Sequence, residues 1–413
     1  MIFVFYILAA MLVFLSYKSF RGGIAYYKYF KQELSKPVGT YSPFATVIAP
    51  CKGMDEGLNE NLSALLTQHY LEYEVVFVVD SESDPAIEVI KTVSRNVAKN
   101  AEKTKLVIAP RTTDSSQKVE NLREAILHAS DASKVFAFVD SDARPSQDWL
   151  RHLVAPLQNE QVGASTGYRW FISETLTFGS EMRACWNASI ASALGPNRES
   201  NFCWGGSTAI RRETFDRINM RERWRGTLSD DFAVTRAMKE SGLDIYFVPQ
   251  ALTASIGNCS LREAIEFTNR QMKITRVNAP DLWLKAYFGG TVFNAVMITS
   301  LAIMIFSARN DLHVLIAAVV FGLVSVLSIG KSWTRLKAVE LVLATRWPQL
   351  KRQWLSQNTL WLLSPMLFLI NCLAATLSRE MTWRGIRYRL KSPTETVIIS
   401  GGKEKKRQKD CPE

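Results

Sequence analysis

Hydrophobic positions along this chain follow two regimes. Four runs are apolar almost without interruption, at residues 1–17, 287–306, 314–329 and 359–377. Each approaches the roughly 20 residues needed to cross the hydrocarbon of a bilayer. Between residues 40 and 280 no such run occurs, and short β-rich stretches alternate there with segments whose apolar residues recur at helical spacing. "FATVIAP" (44–50), "YEVVFVVD" (73–80), "KLVIAP" (105–110) and "KVFAFVD" (134–140) are the expected strands; "LNENLSALLTQ", "AIEVIKTVSRNVAKN" and "VENLREAILHAS" are the expected helices. That alternation predicts an α/β domain with a mostly parallel sheet covered by helices on both faces. The predicted organisation is an N-terminal transmembrane anchor (1–20), the α/β domain (40–280), a membrane region of two to three helices (284–378) and a basic tail (379–413).

Charge refines this plan. The first run lacks a basic start and a small-x-small cleavage site, which favours an uncleaved anchor over a signal peptide. Lys18, Arg21, Lys28 and Lys31 follow it directly and, by the positive-inside rule, place the α/β domain on the cytosolic face. The six cysteines show no CxxC or metal-like spacing, as suits reduced thiols. The formal net charge is +11. Its basic residues crowd the flanks of the apolar runs and the tail, where anionic headgroups attract them, so nucleic acid is not an expected partner. Counting crossings places the tail outside while its charge places it inside. Ser364 and Pro365 interrupt the last run, which is therefore expected to enter and return on the cytosolic side.

Candidate chemistry concentrates where the strands end. In a parallel sheet, ligands bind beyond the carboxyl ends of the strands, and "FVDSDARP" delivers Asp140 and Asp142 to that edge. Two such carboxylates can hold a hard divalent cation, Mg2+ or Mn2+, that bridges to phosphate oxygens. The alternative is that one of them caps the helix that follows.

The ordered series "VIAPCKGMDEGLNENL", "YEVVFVVDSESDPAIEVI", "QKVENL" and "FVDSDARPSQDWL" resembles ceramide glucosyltransferases and their bacterial relatives in glycosyltransferase family two. The resemblance covers roughly residues 44–280. It implies the nucleotide-sugar-binding GT-A fold and a metal-dependent, inverting hexosyl transfer from a nucleotide sugar, a UDP-sugar for preference, to a lipid hydroxyl at the membrane. By that resemblance Lys52, Lys118, Asp140, Arg270, Gln271 and Lys273 face the donor, and Asp140 and Asp142 face the metal. "CWGGSTAIRRETF" brings Trp204, Gly206 and Ser207 toward sugar and acceptor, and "LSDDFAVTRAMKE" places Asp230 at the family's glutamate and Asp231 at its catalytic aspartate. A carboxylate there can take the proton of the acceptor hydroxyl. Trp170, Trp186 and Trp204 suit either an acceptor wall or aromatic packing.

Two positions depart from the family's pattern. Ser81 replaces an acidic nucleotide-binding residue, leaving Asp80 or Glu82 to serve. In "RQMKITR", Lys273 and Ile274 stand where Arg-Trp is common, which keeps a charge and loses a planar fork and an aromatic face. Two other functions are compatible with the motifs: a processive polysaccharide synthase, disfavoured by the small number of spans, and a catalytically silent nucleotide-sugar-binding membrane protein, disfavoured by the retained aspartates.

Overall fold

The computed structural model describes residues 2–96, 104–308 and 311–400. It begins with helix α1 (Ile2–Leu34), followed by β1 (Ala45–Pro50), α2 (Leu58–Leu66), β2 (Tyr73–Val79), α3 (Ala86–Asn96), β3 (Thr104–Ile108), α4 (Gln117–Leu127) and β4 (Val135–Phe138). The expected helix over 86–100 is thus present, its last four residues lying outside the described ones. The domain continues through α5 (Trp149–Val154), β5 (Val162–Thr166), β6 (Arg169–Ile172), α6 (Phe178–Ala191), β7 (Thr208–Arg211), α7 (Arg212–Arg217), α8 (Met220–Arg223) and α9 (Asp230–Glu240). It closes with β8 (Asp244–Phe247), β9 (Thr253–Ile256) and α10 (Leu261–Asn278).

Seven strands form one sheet in the order β3-β2-β1-β4-β7-β5-β8, with β7 antiparallel to both neighbours. β1 and β2 are buried on both faces because alternate side chains feed two different cores. Val47, Val75 and Phe77 enter one, with helices α2 and α3; Ile48, Val76, Val78 and Phe138 enter the other, with α4 and α9.

Three helices are long and apolar enough to cross a membrane: α1, α11 (Pro280–Phe306) and α12 (Leu312–Val342). The far end of α1 leaves the apolar layer and enters the α/β core. There Phe30 is fully buried, and the Tyr29 hydroxyl donates to the Phe247 carbonyl at 2.6 Å. Gly23 sets the close approach of α1 to α12, since a Cβ there would lie 2.8 Å from Thr334 Oγ1. Two short helices, α13 (Trp347–Arg352) and α14 (Trp354–Thr359), lead to α15 (Ser364–Leu377).

At 14 residues α15 extends only ~21 Å, short of the ~30 Å of a hydrocarbon core. It lies against α10 instead. Asn371 Nδ2 donates to Thr268 Oγ1 at 3.0 Å and Asn269 Oδ1 at 2.8 Å, and Arg276 donates to the terminal Ala375 carbonyl at 2.6 Å.

The expected tail differs from the structure. Residues 380–400 form a three-stranded antiparallel sheet of β10 (Glu380–Trp383), β11 (Ile386–Ser392) and β12 (Glu395–Ser400). Its Met381, Tyr388 and Leu390 pack on Leu228 and Ile274 of the α/β domain. The charge of this segment concealed an inward apolar alternation; residues 401–413 of the expected tail lie outside the described ones.

Because this sheet touches the α/β domain, both lie on one side of the bilayer. Single cysteines replacing Glu395 and Leu71 should therefore react alike with a membrane-impermeant maleimide in intact cells, and one replacing Ala308 oppositely. The described native cysteines are buried and give little background. Opposite labelling at 395 and 71 would refute the docked sheet.

Candidate active site

A cavity of about 550 Å³ opens at the carboxyl ends of β1 and β4. Of the residues expected to act, Lys52, Lys118, Asp140, Asp142, Trp204, Asp230, Asp231, Arg270 and Gln271 line it. Asp80, Glu82, Gly206, Ser207 and Lys273 do not.

Lys118 is the centre of charge. It rises from the first turn of α4, whose N-cap Ser116 accepts from Val119 N–H. Its ammonium lies 2.7 Å from Asp140 Oδ1 and 3.1 Å from Asp230 Oδ1. Burial alone would push this lysine's pKa down, but the two carboxylates outweigh it and hold the ammonium above its ordinary value. Asp140 is likewise buried, yet Lys118 and then Arg169 keep it below the usual carboxylate range. Burial pushes Asp230 up to about 6, with Asp231 adding repulsion against the pull of Lys118.

Asp231 sits one residue on and is less buried. Its Oδ1 accepts from Phe232 N–H at 2.7 Å and from the Ser229 hydroxyl, which fixes the carboxylate at the cavity wall. Asp142 accepts from Arg169 at 3.4 Å through Oδ2, while its Oδ1 is buried without a partner. Burial raises its pKa, and the nearby Asp140 and Asp55 add to the effect against Arg169.

An orphaned carboxylate oxygen beside a second carboxylate fits a divalent cation. Among the described residues no cluster of three or more His, Cys, Asp or Glu side chains could hold a metal. A cation at Asp140 and Asp142 would therefore complete its shell with water and donor oxygens.

Among the carboxylates stand guanidinium groups from separate parts of the chain. Arg169 lies 4.8 Å from the Trp204 ring centroid, and Arg270 lies 5.4 Å from that of Phe267 and 5.6 Å from that of Trp383. Burial, with Arg169 and Arg384 adding repulsion, pushes Arg270 down to about 10.

Arg384, missed in the sequence, is the third. It occupies the two-residue turn between β10 and β11, with φ 48° followed by Gly385 at φ 80°, the left-handed pair that a tight hairpin requires. Its guanidinium reaches Asp55 Oδ1 at 2.5 Å. Burial opposes its charge, but Asp55, with Asp142 and Asp140 beyond, holds the pKa above its ordinary value. Tyr388 on the same sheet accepts from Gln117 N–H at 3.1 Å, tying the hairpin to the start of α4. The available signal was "TWRGIRYRL", an Arg-Gly turn between alternating residues.

Several expected residues have other partners. Lys273 turns away and donates to the Glu380 carbonyl at 2.6 Å, so it clamps the C-terminal sheet; its neighbour Ile274 lines the cavity. Asp80 pairs with Lys52, and Glu82 is exposed. The acidic residue that shapes this edge is Asp84, which accepts from Gly53 N–H at 2.9 Å and Ala86 N–H at 2.9 Å and so joins the turn after β1 to α3. Ser207 accepts from Trp149 Nε1 at 2.8 Å and donates to the Ala251 carbonyl, a wholly buried scaffold role. Trp170 is core, whereas Trp186 and Trp204 contribute to the cavity wall.

A family model described as Glycosyl transferase family 21 matches residues 4–396, and the chain belongs to that family. Over 83 residues it is 31% identical to ceramide glucosyltransferase 3 of Caenorhabditis elegans, a stretch spanning 20% of this chain and 18% of that protein. Among solved structures it is similar to the mannosyltransferase PcManGT from Pyrobaculum calidifontis, in complex with GDP-Man and Mn2+, at 17% identity. That likeness covers 90% of this chain and 98% of the other, with a TM-score of 0.45. It is also similar to glucosyl-3-phosphoglycerate synthase from Mycobacterium tuberculosis, in complex with Mn2+ and UDP-glucose, at 14% identity over 56% and 77% of the two chains, with a TM-score of 0.35.

Lys118→Met should destabilise the fold by about 3–5 kcal/mol, because Asp140 and Asp230 keep their burial and lose their cation. Without the ammonium the carboxylates take up protons at higher pH in the folded than in the unfolded chain. The stability deficit should then shrink as pH falls from 7.5 to 5.5. Thermal melting of both proteins across that range measures it, and a pH-independent deficit would exclude carboxylate repulsion as the cause.

Proposed function

We propose that this family 21 member is a membrane-anchored, inverting glycosyltransferase whose α/β domain is a GT-A fold on the cytosolic face. It moves a sugar from a nucleotide diphosphate donor, a UDP-sugar for preference, to a lipid hydroxyl. The observation that carries this reading is one cavity that brings together three carboxylates, Asp140, Asp142 and Asp231, and three guanidinium groups, Arg169, Arg270 and Arg384. A sugar diphosphate needs both: cations for its phosphates, and a base on the opposite side of the anomeric carbon.

Asp231 Oδ2 accepts the acceptor's hydroxyl proton as that oxygen bonds to the anomeric carbon. The bond from that carbon to the diphosphate breaks, its electron pair stays on the leaving phosphate, and configuration inverts. Asp140 and Asp142 are suited to a divalent cation, which supplies Lewis-acid neutralisation of the departing diphosphate when bound. Arg384 and Arg270 meet the phosphates from the other side, with bidentate geometry available to each. Asp230 serves by holding Lys118 rather than as the base. The acceptor approaches along Trp186 and Phe267, the wall closest to α15: the Trp186 ring stacks on Phe368 at 4.8 Å.

Asp231→Asn should lower transfer by about a hundredfold or more with little change in donor affinity. Asp142→Asn should instead weaken donor binding when metal is present. Steady-state transfer and donor-binding titrations separate the two, and near-full turnover in Asp231→Asn would move the base elsewhere.

The hairpin gives a further contrast. Arg384→Gln should raise the donor KM by about tenfold or more, the cost of losing charged hydrogen bonds to a phosphate. Lys273→Ala, which loosens the sheet without removing a phosphate contact, should raise donor KM by less than Arg384→Gln. Kinetics in detergent decide, and the reverse ranking would return the phosphate role to Lys273.

A further inference from the structure

A second cavity, of about 370 Å³, lies among α1, α6, α11, α12 and α15. Its height in the bilayer follows from sequence: Ser19 comes just after the apolar run of α1, Lys285 just before that of α11, and Lys331 and Arg335 just after that of α12. All four line the cavity. They belong to the level where hydrocarbon gives way to headgroups, on the side of the α/β domain.

The lining holds three cations and no carboxylate. Lys331 donates to Ser19 Oγ at 2.8 Å. Arg335 is 3% exposed, and its NH2 donates to Gln357 Oε1 at 3.3 Å. Arg335 Nε and the Ser364 hydroxyl are buried without a hydrogen bond, with the neutral Cys185 thiol beside them. The acidic side chain nearest along α12 does not compensate, since Glu340 pairs with Lys337 at 2.8 Å. Lys331 and Arg335 are four residues apart on one helix, so they share a face and repel. Two such charges at a membrane boundary, with no carboxylate among the described lining residues, mark an anion site. Apart from several serine hydroxyls the remaining lining is largely apolar, with Leu12, Leu15, Phe293 and Leu327 facing the same space. A soluble anion would leave that half wet.

We propose that this cavity binds an anionic phospholipid of the leaflet facing the α/β domain. The phosphate would lie against Lys331 and Arg335, and the acyl chains along Leu12, Leu15, Phe293 and Leu327. Basic pockets between membrane helices suit such headgroups. Exposed Lys285 at the rim attracts a net negative headgroup and repels the quaternary ammonium of phosphatidylcholine.

The test is native mass spectrometry of the full chain in neutral detergent with equal amounts of phosphatidylglycerol and phosphatidylcholine of matched chains. The wild type should retain phosphatidylglycerol about tenfold more than phosphatidylcholine. Arg335→Gln and Lys331→Gln should bring the ratio near parity. Lys285→Gln, an exposed change that spares the fold, should lower it in part, so the proposal stays testable if the buried variants unfold. Millimolar inorganic phosphate should not displace the lipid. Equal retention by the wild type, an unchanged ratio in Lys285→Gln, or displacement by phosphate would each overturn the proposal. None of these readouts depends on glycosyl transfer.

Discussion

The largely shielded ammonium of Lys118 is the constraint from which the site follows. It draws the end of β4, through Asp140, and the start of α9, through Asp230, onto the first turn of α4. Charges this buried are tolerated only when paired, so these three elements cannot drift apart without leaving a charge uncompensated. The Gly205-Gly206 pair completes the arrangement by having no side chains. A Cβ on Gly205 would lie 2.0 Å from Asp230 Oδ2 and 3.0 Å from Lys118 Nζ, and one on Gly206 would lie 2.8 Å from Asp140 Oδ2. The role of "WGG" is therefore close backbone approach to the charge cluster.

With the acidic side fixed in this way, the cationic side can come from elements far apart in sequence. Arg169 is carried by β6, Arg270 by α10 and Arg384 by the hairpin after the last membrane-associated helix. The hairpin is held partly by residues that also line the cavity: Lys273 donates to the Glu380 carbonyl, Gln117 N–H donates to Tyr388, and the sheet packs on Leu228 and Ile274. Lys273 and Ile274 thus act through the sheet they retain. Trp383 and Arg384 on that sheet bring to the cavity an aromatic ring and a planar fork, the two properties that Lys273 and Ile274 lack.

Legibility followed the range of each interaction. The strands and helices from residue 44 to 140 were readable because periodicity is local, and Asp140 and Asp142 were readable because a strand's end defines the binding edge. Asp84 escaped notice because its function, accepting from Gly53 and Ala86, is visible only once two loops meet. Arg384 escaped for a stronger reason. In "TWRGIRYRLKSPTETVIIS" the outward positions are basic, so composition suggested a solvated tail, while Met381, Tyr388 and Leu390 supplied the inward face. Ser207 and Lys273 were readable as polar residues near motifs, but the direction of each side chain was not, and direction decides between scaffold and ligand.

The membrane helices fix where the catalytic cavity sits as well as anchoring it. Helix α1 runs without a break from the apolar layer into the α/β core, so Phe30 and Tyr29 set the domain's distance from the bilayer. Helix α15, too short to cross, is pinned to α10 by Asn371 and Arg276 and backs the Trp186 wall of the cavity through Phe368. Helix α6 separates the two cavities, with Trp186 and Asn187 facing the catalytic one and Cys185 and Ser189 the cationic one between the spans. A change in packing on either side of α6 must therefore be felt on the other, since consecutive residues of one rigid helix cannot move independently.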